Sequence, residues 1–202
     1  MDRWLDEAGA ARAAASVPKT PTVSVEVDKD DGLGEPLEAF ATAKALVNSL
    51  SEHDLGRVLF EYGEEPRWRT AARGIVVARE QKPIATTTEL VEVLNAVLGP
   101  RRPGQRRHPA TLVFQALRVA VNRELEAVRV GVPRLISALK PGGRLMVISF
   151  HSLEDAIVKR AFEDAVKDGR AAHVSRKPVT PSRAETETNP RARSAKLRVL
   201  VK

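Results

Sequence analysis

The 202-residue chain contains no cysteine. Disulfide frameworks, zinc fingers and thiol nucleophiles are thereby excluded. Aromatic residues make up only 4% of it, but hydrophobic residues reach 43%, enough for an aliphatic core. No apolar run approaches the ~18 residues of a membrane span. The opening "MDRWLDEAGAARAAASVPKTP" lacks the basic and apolar regions of a secretory signal. Asp2, Asp6 and Glu7 argue against a transit peptide, which is poor in acids. A bacterial cytoplasm is the default expectation, with plastid or mitochondrion as the alternative.

What the chain does have is positive charge, unevenly placed. The net charge is +7. From Arg170 onward, nine Lys and Arg stand against two Glu, so the last segment carries the whole excess. A second basic cluster, "RRPGQRR", occupies 101–107. Two basic patches on an otherwise neutral chain suit a polyanion partner, most simply RNA or DNA. A solvated surface with a basic tail is the plain alternative.

Periodicity divides the chain. "TVSVEV" (22–27) alternates like a short strand, and helix signals begin near Glu38. Ser51 is placed as an N-cap with Asp54 three residues on, followed by an apolar face of Leu55, Val58, Leu59 and Tyr62, with Gly63 as a stop. A helix is predicted over roughly 67–80, and Thr86 with Glu89 resembles a capping box opening a third. Residues 40–98 read as an all-helical module, with Glu64 and Glu65 as surface charges. "HPATLVFQALRVAVNRELEAV" reads as one longer helix, with His108 as a cap or pocket residue. The apolar run Arg144–Phe150 is too short for a helix and reads as a buried, parallel-type strand. "SLEDAIVKRAFEDAV" is helical, and "KLRVLVK" is a last strand. Helices and strands in alternation mean α/β.

"RLMVISFHSLED" (144–155) contains Ser149, His151 and Asp155, which invite a hydrolase reading. No G-x-S-x-G elbow surrounds either serine, and residues two apart at a strand end rarely align as a triad. Ser152 with Asp155 instead reads as a helix start. Ser149, Phe150 and His151 lie just past the end of a strand, where ligands bind in open α/β sheets. "NPRARSAKLR" (189–198) gathers Arg191, Arg193 and Lys196 before the last strand, a pattern that serves phosphate contacts. The one G-x-G, "DGLG" at 31–34, sits beside Asp30 and Asp31, which repel phosphate. No metal site is identified.

Five blocks taken together, "LVNSLSEHDLGRVLFEYGEE", "PIATTTEL", "HPATLVFQALRVAVNRELEAV", "LKPGGRLMVISFHSLEDAIVKRAF" and "NPRARSAKLRV", closely resemble the ribosomal RNA small subunit methyltransferase H family, also called the MraW family. The resemblance covers roughly 40–202. It implies a Rossmann-like methyltransferase domain interrupted by an all-helical domain. It also implies S-adenosylmethionine as methyl donor and transfer to the N4 of a cytidine in small-subunit ribosomal RNA. On that reading 1–39 is an irregular segment, 40–100 the helical insert, 101–107 a basic linker and 108–202 the second half of the catalytic domain.

The family's cofactor blocks lie in its first half, and none is found here, so no cofactor-binding residue is assigned. The chain resembles a member lacking its N-terminal half. The partners expected are ribosomal RNA within the small subunit, and a missing N-terminal half or a second copy; no membrane is expected. Ser149 and His151 are the candidates to hold the base, and Arg191, Arg193 and Lys196 the phosphates. The alternatives are a non-catalytic RNA-binding remnant and a structural or interaction fragment.

Overall fold

The computed structural model describes residues 42–101, 104 and 108–202. The "TVSVEV" and "DGLG" segments and most of "RRPGQRR" lie outside them. The chain forms two compact units that divide between Asn122 and Arg123.

The first unit is all helical. Its elements are α1 (Ala43–Ser49), α2 (Glu52–Glu61), α3 (Trp68–Gln81), α4 (Thr87–Leu98) and α5 (Thr111–Asn122). The starts are fixed locally. Ser51 Oγ accepts from the Asp54 N–H at 3.0 Å, and Thr86 with Glu89 completes a reciprocal capping box. Hydrogen bonds from the Lys82 ammonium and from the Ala85 and Thr86 N–H groups hold the Glu89 carboxyl down to about 2. Leu55, Val58, Leu59, Ile75, Leu90 and Leu94 fill the core.

Helix α5 belongs to this core, because Val113, Ala116 and Leu117 are buried in it. The contact division thus falls later than the 101–107 linker read from the sequence. The single helix expected from His108 is also two. Arg123, in the left-handed region at φ 52°, breaks it, and α6 begins at Glu124. His108 caps the start, its Nδ1 accepting from the Ala110 N–H at 3.1 Å. Glu65 is not a surface charge: it is buried, and its Oε1 accepts from the Arg67 N–H at 3.0 Å. Gly63 follows the α2 C-cap Tyr62, and no larger residue fits there, since a Cβ would lie 2.6 Å from the Leu112 carbonyl oxygen.

The second unit is α/β. It comprises α6 (Glu124–Ala138), β1 (Arg144–Ser149), α7 (Ser152–Lys167), β2 (Ala172–His173), α8 (Arg183–Thr188), a 3₁₀ turn (Pro190–Ser194) and β3 (Lys196–Val201). The sheet order is β1-β3-β2, with β3 antiparallel to both neighbours. Hence β1 and β2 run parallel to each other. Val132 and Ile136 of α6 pack with Val158, Phe162 and Ala165 of α7 and with Leu200 of β3 on one face.

β1 was expected as a buried, parallel-type strand. Its described partner is instead antiparallel, in register from Arg144↔Val201 to Ser149↔Lys196. Leu145 and Val147 face the helices, whereas Met146 and Ile148 are exposed. The run is apolar throughout because both faces of the strand carry apolar side chains, and the helices of this unit cover one. Its second edge has no partner among the described residues. No helix among them is long and apolar enough to cross a membrane.

Candidate functional site

The carboxyl end of β1 leads directly into α7. His151 is the N-cap, its Nδ1 accepting from the Glu154 N–H at 3.4 Å. Glu154 reaches back, and its Oε2 accepts from the Phe150 N–H at 2.9 Å and the His151 N–H at 3.4 Å. Ser152, expected as the cap, is the first helical residue instead. The physical reason is that Asp155 is engaged elsewhere.

The Asp155 carboxylate takes two hydrogen bonds from Arg198, Nε to Oδ1 at 2.7 Å and Nη2 to Oδ2 at 3.1 Å. The Lys196 ammonium donates to Oδ2 at 3.0 Å. Asp155 and Arg198 are both buried. Burial pushes the Asp155 carboxyl up, but hydrogen bonds from Arg198 and Lys196, with their charges, prevail and hold it below the usual range. This triad pins the first turn of α7 to β3. Asp155 is therefore a structural anchor, as far from a catalytic triad as its sequence neighbourhood is suggestive of one.

Ser149 is buried and its hydroxyl donates to the Lys196 carbonyl at 3.4 Å, across the last register pair of β1 and β3. That pair brings the basic segment to the same end of the sheet. Arg193 lies three residues before Lys196, on the 3₁₀ turn that buried Ala192 anchors. Arg191 and Arg193 are exposed. Lys196 differs from them, because its ammonium is committed to Asp155. Phe150, which the sequence places with Ser149 and His151 at this strand end, is 54% exposed.

Glu124, His151 and Glu154 place potential ligand atoms within 4.8 Å of one another. The cap explains this cluster. With Nδ1 accepting from a backbone N–H, the neutral ring carries its proton on Nε2, which lies 3.4 Å from Glu154 Oε1. A protonated Nε2 beside carboxylates is a hydrogen-bond donor, not a metal ligand.

The same end of the unit fails as a cradle for S-adenosylmethionine. The Glu154 N–H of α7 is taken by His151, the Phe150 and His151 N–H groups just before the helix are taken by the Glu154 carboxylate, and no glycine turn lies between strand and helix.

The model for the MraW methylase family matches residues 36–202. A curated relative from Coprothermobacter proteolyticus, named ribosomal RNA small subunit methyltransferase H, is 50% identical over 161 residues, covering 80% of this chain and 53% of its own length. Relatives of the same name from Kosmotoga olearia and Magnetococcus marinus are each 48% identical, over 178 and 180 residues. They align with 87% and 80% of this chain, and with 58% and 56% of their own lengths. The chain spans about half the length of the curated relatives it matches.

Proposed function

Because the chain belongs to the MraW methylase family, we propose that it supplies the RNA-facing part of an enzyme that methylates the N4 amine of a cytidine in small-subunit ribosomal RNA. S-adenosylmethionine is the donor on this reading, and a cytoplasmic ribosome or its precursor is the setting. The observation that carries the proposal is the convergence at one sheet end of Phe150, His151, Arg191 and Arg193, in a chain about half identical to relatives named for ribosomal RNA methylation.

The parts follow from the geometry. Phe150 offers an exposed ring for stacking on a base. The His151 imidazole, its Nδ1 on the Glu154 N–H and its buried Nε2 beside Glu154 Oε1, holds the turn that presents Phe150. Ser149 positions the strand end through the Lys196 carbonyl. Arg191 and Arg193 take phosphates, which orients the RNA without reading it. The donor supplies the methyl group when bound. The described residues do not build its site, and this chain's contribution is orientation and exclusion of water around the amine. The exposed Met146 and Ile148, and the edge of β1, suit packing by the rest of the catalytic domain.

A non-catalytic RNA-binding remnant is the second reading, favoured by the lack of a glycine turn between β1 and α7. Titrating the full chain with a small-subunit ribosomal RNA fragment at several salt concentrations, and separately with S-adenosylmethionine, tests the proposal. Steeply salt-dependent RNA binding without donor binding is expected. An absence of RNA binding by the folded chain would contradict both readings.

A further inference from the structure

Helix α3 carries four arginines at or near its axis, and they divide into two pairs. Arg67 donates to the Leu98 carbonyl at 2.8 Å, and Arg79 donates to the carbonyls of Val47 and Leu50 at 2.7 and 2.5 Å. These two hold the helical unit together. Arg69 and Arg73, one turn apart on α3, are exposed, and among the described residues no ion pair to a carboxylate is seen for either. They border an open groove of about 1200 Å³ whose walls come from α2, α3 and α4. Val77, Val93 and Val97 line its apolar part, and Glu52 is its one carboxylate.

An aromatic and cationic stack stands at the same groove. The Arg69 guanidinium lies 4.0 Å over the Trp68 ring. The Phe60 ring, 56% exposed, is 5.9 Å from Trp68 by centroid, beside the groove and not in its lining. Trp68 itself is fixed, because it packs where a side chain on Gly56 would otherwise stand. The Arg69 guanidinium thus lies over the Trp68 ring, and both groups are of the kind on which bases stack.

We propose that this groove binds single-stranded RNA, with bases stacking on the Arg69–Trp68 pair and Phe60, and with Arg73 on phosphate. A polyanion fits the two exposed guanidiniums, and an apolar lining fits base faces. The volume exceeds that of a typical small-ligand pocket and suits several nucleotides. The inference rests on the reading that the chain acts on RNA, but places a second contact in the helical unit.

The test uses the full chain and a labelled single-stranded RNA of about 12 nucleotides. Arg69→Ala with Arg73→Ala is expected to lower affinity roughly tenfold and, since only Arg73 takes a phosphate, to reduce the slope of log K against log salt by about 0.7. Both residues are exposed, so folding is retained. Arg134→Ala with Lys167→Ala removes equal charge elsewhere and is expected to alter the slope little. In a Trp4→Phe background, RNA is also expected to quench Trp68 emission. RNA binding that leaves Trp68 emission and the double variant's slope unchanged would overturn the groove while leaving the function reading intact. Movement of Trp68 emission by an acidic peptide and not by RNA would overturn it in favour of a protein partner. Failure of the chain to bind RNA at all would overturn both.

Discussion

The guanidinium of Arg198 clasps the carboxylate of Asp155 across 43 residues of sequence, joining the second unit's last strand to the first turn of α7. Arg198→Ala leaves a buried carboxylate with Lys196 as its one charged partner. The expected cost is about 3–5 kcal/mol, the range for breaking a buried pair from one side. Asp155→Leu combined with Arg198→Met restores most of it, because an apolar pair removes both desolvation penalties. Urea melts of the single and double variants measure the difference.

The same carboxylate gives the unit an acid limit. Its folded-state value lies below the ordinary 3.8, so its contribution is present above that value and is lost as pH falls through the depressed one. The advantage of the native chain over Asp155→Asn is therefore expected in full at about pH 7 and to shrink below about pH 4. Denaturation curves of both chains at neutral and acid pH check this.

In the helical unit, Gly74 lets α3 and α4 approach. A Cβ there would stand 2.7 Å from Val97 Cγ1, and a valine in a helix has little freedom to turn away. Gly74→Ala gains about 1 kcal/mol in helix propensity but meets an overpacking cost of about 1–3 kcal/mol. A net loss near 1 kcal/mol is expected, relieved when Val97→Ala is added. Thermal melts of the three variants read it.

The basic segment before β3 is expected to split by function. Arg191→Ala with Arg193→Ala lowers RNA affinity and reduces the salt slope by about 1.4. Lys196→Ala, which removes a ligand of Asp155, shifts the melting temperature and leaves the slope nearly unchanged. Binding isotherms at several salt concentrations, alongside melts, separate the two.

These contrasts mark what the sequence can and cannot disclose. The caps at Ser51 and Thr86 are legible because donor and acceptor lie three residues apart. "HSLED" is harder, since it holds two overlapping cap signatures, His151 with Glu154 and Ser152 with Asp155. The choice is made by Arg198, 43 residues beyond Asp155, and no local pattern announces it. The helix break at Arg123 carries no glycine or proline to mark it.

The long-range ends of the arginines are equally hidden. "PRWRT" reads the same whether an arginine binds a carbonyl, as Arg67 does, or lies over an aromatic ring, as Arg69 does. The α/β alternation and the position of Ser149, Phe150 and His151 at a strand end were legible. The direction of β1 was not, because an apolar run reports burial on both faces without naming its neighbour.

The most direct measurement joins this chain to the first half of the Coprothermobacter relative and supplies labelled S-adenosylmethionine with small-subunit ribosomal RNA. Mass-spectrometric mapping of the product is expected to find one added methyl, on the exocyclic N4 of a single cytidine, and less of it when Arg191 and Arg193 are replaced. A methyl on another atom, or none from a folded and donor-binding hybrid, would contradict the account.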